Sequence, residues 1–159
     1  MEDHMSQFQY QTKVKDIWVD HNQHMNDAEY NRVFSDATDA WLASLGLDIN
    51  TIKKLNYTVF TLENHVVYLK EINVDEPITV NVSLYDYDTK RLHVFMTLVD
   101  AHNNRCATYE VMLMGMDTTK GKPAAFPEQI KNAIDDYAKI GTIHETPKEL
   151  GRLIGIKRK

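Results

Sequence analysis

Cysteine occurs only once in this 159-residue sequence, as Cys106, so no internal disulfide can hold the chain together. Four prolines and six glycines are too few for a collagen-like or linker-rich chain. No uninterrupted apolar run approaches the roughly 18 residues of a membrane span. The first residues, Met1 to Gln7, carry no apolar leader core. Positive charge is not in excess either: 18 Lys and Arg against 23 Asp and Glu give a formal net charge of −5, which argues against a nucleic-acid coat or a polybasic membrane binder. The expectation is a cytoplasmic protein with no nucleic-acid and no membrane partner. What is present, 43% apolar and 26% charged residues, suits one domain large enough to bury a core.

The central pattern is helical. Tyr30, Val33, Phe34, Ala37, Thr38, Trp41, Leu42 and Leu45 recur at i, i+3, i+4 and i+7 spacing and make one continuous stripe. Asn26, with Glu29 three positions on, reads as a capping box, and Gly46 as a left-handed terminator. A loose strand over 8–17 precedes this helix. Four alternating segments follow it, around 57–69, 78–85, 92–99 and 105–117, with turns at 86–90 and at Asn103-Asn104. The short connections require antiparallel pairing, and the four segments are expected to form a meander. Ile130, Ala133, Ile134, Tyr137 and Ala138 predict a second helix that ends near Gly141. The domain is expected to span 1–141, and 142–159 to form an irregular, partly mobile tail.

Chemistry-bearing residues concentrate in Asp20 to Asn26, between the first strand and the long helix. Asp20 is a candidate base or nucleophile, and Asn22 and His24 alternate with it. The helix start offers unpaired amides that can stabilise an oxyanion. These are the parts that acyl transfer needs, although the same residues would also make an ordinary turn. A helix N-terminus lowers a carboxylate pKa and desolvation raises it, so the state of Asp20 is open at this level. His21 and His24 with Asp20 and Asp27 make a weak metal set, since no third partner is evident; no metal or cofactor is expected. Cys106, with Arg105 as its one positive neighbour, reads as a buried inert thiol. Met112, Met114 and Met116 share one strand face and read as core or interface packing. Lys90 and Arg91, at a hairpin, could meet phosphates or simply make an exposed turn. Trp18, beside the motif, is a candidate wall for a cationic acyl group.

The string Asp20-His21-Asn22-Gln23-His24-Met25-Asn26-Asp27-Ala28-Glu29-Tyr30 resembles the D-x-N-x-H-x-N-x-x-x-Y signature of hotdog-fold thioesterases. The resemblance extends through Tyr57-Thr58-Val59, His65, Tyr68 to Glu71, Lys90 to His93, Ala107 to Glu110 and Gly151 to Ile156, and is similar to the betainyl-CoA thioesterase branch. It implies an α+β hotdog fold, with a five-stranded antiparallel sheet around a long central helix and a C-terminal helix. It implies hydrolysis of an acyl-CoA, short-chain or betainyl-type, in a homodimer or dimer of dimers. Asp20 would be nucleophile or base, Asn22 and His24 its supports, and Glu71 a supporting carboxylate. Trp18, Met25, Asn26, His65, Lys90 and Arg91 would contact substrate. Two departures stand out: many members carry Gly where this chain has Gln23, and the betainyl branch often carries His where this chain has Gly115. The alternatives are an acyl-CoA hydratase or dehydratase and a non-catalytic acyl-CoA binder.

Overall fold

In the computed structural model, which describes residues 7–141, 143 and 145–158, the long amphipathic stripe becomes α1 (Asp27–Ser44). At ~1.5 Å per residue this helix is about 27 Å long. Tyr30, Val33, Phe34, Ala37, Thr38, Trp41 and Leu42 are all buried along it. Asn26 caps the helix, its side chain accepting from the Ala28 amide at 3.1 Å. Glu29 does not complete the box and pairs with Arg32 at 2.6 Å instead. Gly46 ends the helix at φ +105°, a conformation that side-chain-bearing residues rarely adopt.

An antiparallel sheet wraps this helix. Its strands are β1 (Gln9–Lys13), β2 (Tyr57–Tyr68), β3 (Pro77–Tyr87), β4 (Arg91–Asp100), β5 (Arg105–Asp117) and a two-residue β6 (Lys122–Pro123). The spatial order is β1-β3-β4-β5-β2, with β6 beside β5. The meander expectation therefore holds only for β3 to β5. β2 crosses over to pair with β5, from Tyr57 opposite Asp117 to Tyr68 opposite Ala107, and is left as one edge. Phe34 of α1 stacks on Tyr109 of β5, with ring centroids 4.8 Å apart, and Thr38 contacts Met96 of β4. The fold is the α+β hotdog arrangement. Three elements lie outside the sequence expectation: β6, which makes the expected five-stranded sheet six-stranded, a 3-10 turn at Asp16–Trp18, and α2 (Ile49–Leu55), capped by the Asp48 side chain on the Thr51 amide at 2.8 Å. The expected second helix is α3 (Glu128–Ile140), with Pro127 at its N-cap, and its Tyr137 packs edge-on against Trp41.

Met1–Ser6, Thr142, His144 and Lys159, which belong to the expected leaderless start and to the tail, lie outside the described residues. Beyond Ile140 the described residues form no helix or strand. Glu149 is nonetheless buried and pairs with Arg105 at 2.9 Å. Met112, Met114 and Met116 are half-buried on the outer face of β5 and are not part of the core, because the odd-numbered residues of β5 point inward. Gly115 is one of those inward positions. A Cβ there would overlap the Tyr57 hydroxyl, which donates to the Ala124 carbonyl at 2.9 Å. Glycine at this site and tyrosine at 57 are thus one packing solution, which accounts for the missing histidine.

An ion pair between half-exposed Lys70 and the buried carboxylate of Asp100 fixes the far end of β2. Lys70 Nζ lies 2.8 Å from Asp100 Oδ2, and the Asp100 carboxylate also accepts from the His102 and Asn104 amides, each at 2.9 Å. The Lys70 hydrogen bond and these amides hold its pKa well below the usual carboxylate range. A depressed carboxylate pKa stabilises the fold above the unfolded value of ~3.9, and this contribution fades as pH falls below it. Thermal unfolding of wild type should therefore weaken steeply below pH ~4, while Asp100→Asn should melt lower at neutral pH and show a flatter acid limb. Identical acid limbs would exclude this role. Gly115→Ala should cost about 1–3 kcal/mol in chemical unfolding, and adding Tyr57→Phe should recover part of the loss.

Candidate active site

The loop from Val19 to Asn26 folds on itself before α1 begins. The Asp20 amide donates to the His24 carbonyl at 2.9 Å, and the Gln23 amide to the Asp20 carbonyl at 3.0 Å. Gln23 sits at φ 66°, in the left-handed region, which is the physical reason that glycine suits this position in similar sequences. Asp20 Oδ1 accepts from the Asn22 amide at 2.8 Å and from the His24 amide at 3.3 Å. The Asn22 hydrogen bond is the main reason that the Asp20 pKa falls below its ordinary value; partial burial opposes it, and the His24 amide and the two neighbouring imidazoles add to it. Local amides thus decide the state of Asp20, which is ionised at neutral pH.

This loop is pinned to the segment after β2. His24 bridges Asn73, and the Met25 amide donates to the Ile72 carbonyl at 2.8 Å. The pairing sets His24 Nδ1 3.4 Å from Glu71 Oε2, with the imidazole about one-third exposed and the carboxylate mostly exposed. Beside this pair a shallow cleft of about 370 Å³ opens between the start of α1 and the end of β2, lined by Met25, Asp27, Tyr30, Tyr68, Lys70 and Glu71 among others. The Tyr68 hydroxyl donates to the Asp27 carbonyl at 3.1 Å, and the two tyrosine rings meet edge-on at 5.1 Å. Burial pushes the Tyr30 phenol up to about 12, so it stays neutral. The Asn26 cap satisfies the Ala28 amide, whereas the Asp27 amide, the first of the helix, has no acceptor among the described residues. Asp27 lines the cleft, and a free helix-start amide is a group that can donate to a developing oxyanion.

Of the residues singled out in the sequence, the structure brings together Asp20, Asn22, His24, Met25, Asn26 and Glu71. Met25 and Glu71 line the cleft directly; Asp20 and Asn22 lie in the adjoining loop and are not among its lining residues. Trp18 does not line the cleft: it is buried, and Lys15 Nζ lies 5.2 Å from the centre of its ring. An aromatic face already beside an ammonium is a poor place for a cationic acyl group. His65 is on the outer face of the sheet, opposite Glu110, and faces away from the cleft. Lys90 and Arg91 sit at the other end of the sheet. Arg91 pairs with Met114 whereas Tyr68 pairs with Ala107, roughly 23 Å apart along β5. Arg91 is held by Asp88 in its own turn, and Lys90 is exposed. Cys106 is buried and its thiol is pushed up to about 11 by that burial, so it is not a nucleophile. No group of three metal-ligating side chains occurs among the described residues.

Tyr30, Tyr68 and Lys70 line the cleft, and sequence reading gave none of them a role there; they come from two segments, α1 and the end of β2, that are far apart in sequence. The helix-start amides expected as oxyanion donors are narrowed by the Asn26 cap to that of Asp27.

Residues 14–134 match the profile of the thioesterase-like superfamily. A betainyl-CoA thioesterase from Pseudomonas aeruginosa is 33% identical over 148 residues, which cover 92% of this chain and 93% of that protein. A bifunctional L-carnitine dehydrogenase/betainyl-CoA thioesterase from Rhizobium is 32% identical over 92% of this chain, and the chain spans about 30% of that protein's length. A Staphylococcus aureus protein solved in complex with CoA superposes with a TM-score of 0.92 at 38% identity, covering 98% of this chain and 100% of that one. A profile match over most of the sequence, near-complete relatives above 30% identity and a helix-wrapped sheet of the same shape lead to one conclusion: the chain belongs to the thioesterase-like superfamily.

Proposed function

We propose that this protein is an acyl-CoA thioesterase that converts a short acyl-CoA and water into the free acid and coenzyme A. The observation that carries this reading is the unpaired Asp27 amide at a cleft shared with Glu71 and backed by the Asp20–His24 loop. Membership of the thioesterase-like superfamily and the CoA complex of the S. aureus relative support it.

Asp20 has the charge a nucleophile needs. Its lowered pKa keeps the carboxylate ionised at neutral pH. Oδ1 is committed to the Asn22 and His24 amides, which leaves Oδ2 as the attacking atom. Attack on the thioester carbonyl carbon gives a tetrahedral oxyanion facing the Asp27 amide. Its collapse breaks the C–S bond, releases CoA thiolate and leaves an aspartyl anhydride. Water, its proton taken by His24 with Glu71 behind the imidazole, hydrolyses the anhydride and restores Asp20. Asn22 shapes the loop through its amide.

The long β2 edge, with Phe60 and Leu62 exposed, is the surface for a second copy of the chain. An antiparallel pairing about the middle of β2 sets Val59 beside the partner's Val66 and His65 beside the partner's Phe60, and each pair lies on one face of the sheet. It also brings the partner's Lys90 hairpin to the cleft's end of the sheet, where its charge suits the phosphates of CoA. A homodimer or a dimer of dimers working in the cytoplasm fits this reading; no helix among the described residues is long and apolar enough to cross a membrane.

The betainyl-CoA relatives favour a trimethylammonium acyl group. The aromatic wall of Tyr30 and Tyr68, with Glu71 at its edge, suits a cation better than the covered Trp18 does.

Asp20→Asn keeps an oxygen for the two loop amides and removes the carboxylate. It should fold normally by circular dichroism and lower kcat by a factor on the order of 10² or more in a thiol-release assay. Wild-type turnover in that variant would remove Asp20 from the mechanism. In wild type, log kcat/KM should stay level through neutral pH and decline only on the acid side of pH ~4, as the depressed carboxylate takes up its proton. Tyr68→Ala should raise KM for betainyl-CoA about tenfold and that for the uncharged isostere 3,3-dimethylbutyryl-CoA much less. Equal increases would assign Tyr68 a purely apolar role.

A further inference from the structure

The polypeptide after α3 lies across the outer face of the sheet and is fixed there at two points. Buried Glu149 pairs with Arg105, and the Gly151 amide donates to Glu110 Oε1 at 2.7 Å, while Glu110 Oε2 holds His93 at 2.7 Å. Burial opposes the charge on Glu149, but Arg105 and backbone hydrogen bonding outweigh it, so this anchor is ionic. Gly151, at φ +71°, then turns the chain. Residues 151–154 share a trough of about 550 Å³ with Glu63–Val66 of β2, next to the open edge of the sheet.

A well-anchored segment would be expected to cover its apolar side chains. Leu153, Ile154 and Ile156 are instead 88%, 92% and 77% exposed. Three aliphatic residues in water beside an open strand edge mark an interaction surface. The sheet supplies a matching patch: Phe60 and Leu62 of β2 are 51% and 52% exposed. Phe60 shares the outer face with Met114 and, beyond the bulge at Leu62, Glu63 and His65 take the same face. Within one chain the tail lies over 63–66, past the Phe60 patch. In the β2 edge pairing, residues 63–66 of one copy stand beside residues 59–62 of the other, so the partner's Phe60 comes under the tail.

We propose that residues 152–158 form a clasp that crosses the seam onto a second copy of this chain, setting Leu153, Ile154 and Ile156 against the partner's Phe60 and the partner's Leu62. The clasp rests on the edge pairing put forward above. It covers both exposed patches with one contact and, by two-fold symmetry, does so twice per dimer. It also makes the tail part of the assembly, in contrast to the mobile appendage expected from its composition.

The test uses full-length chains carrying Phe60→Cys mixed with chains carrying Ile154→Cys, exchanged and treated with a short bismaleimide; Cys106 is buried and does not compete. The expected result is a product of two chain masses that contains one of each variant, well above the yield from either variant alone. In parallel, a chain ending at Gly151 should dissociate about 100-fold more readily in sedimentation than the full chain, as loss of several buried aliphatic contacts requires. A dimer that gives no mixed product, or a truncated chain that associates as tightly as the full one, overturns the clasp and leaves the edge pairing standing. A full-length chain that sediments as a monomer at every concentration overturns the pairing and the clasp together.

Discussion

Burial of one face of α1 is the constraint on which the rest of the structure depends. Seven side chains from Tyr30 to Leu42 are removed from water along a helix of 18 residues, and a rod of that length needs a curled sheet to cover it. The sheet supplies the cover from several strands: Tyr109 of β5 against Phe34, Met96 of β4 against Thr38, and Tyr68 of β2 against Tyr30. Because the body of the helix is fixed, its first turn is fixed as well. The first amide, at Asp27, is held at the end of the sheet where β2 stops, and the cleft forms there.

Polar contacts then set the details that burial leaves free. Lys70 and Asp100 tie the end of β2 to the turn before β5, and the Leu69 and Lys70 amides both donate to the Cys106 carbonyl. Glu71 follows directly and inherits that position. On the other side, the Asp20 loop is closed by its own side chain and hooked to Ile72 and Asn73, which carries His24 to Glu71. Two segments some 50 residues apart are thus registered against each other by backbone hydrogen bonds. The electrostatic outcome is local as well. Directed amides, more than the helix end or burial, keep Asp20 charged.

Residues with a period or a cap could be read directly. The α1 stripe, the Asn26 cap, the Gly46 terminator, the strands of β3 to β5 and the α3 stripe all follow from side-chain spacing, because their physics involves neighbours within a few positions. The short α2 escaped because seven residues with little apolar periodicity carry a weak signal, although Asp48 is a regular cap. The Asp20 to Asn26 string was legible as a site because its polar groups are crowded between a strand and a helix start. Trp18 and His65 were not placeable from the sequence. Whether a ring faces the core or which side of a strand a histidine takes depends on packing, and in β2 the bulge at Leu62 shifts the register and alters which residues point inward.

The sequence by itself determined the helix, the alternating strands, the polar connector and the absence of an internal disulfide, since each depends on composition or on contacts close along the chain. Only the tertiary structure decided that β2 joins β5 and so becomes an edge, that Tyr57 fills the space left by Gly115, and that Glu71 meets His24. These are long-range pairings. Many registers satisfy local propensity equally well, and the one adopted is the one that closes the sheet around the buried helix while pairing its backbone groups.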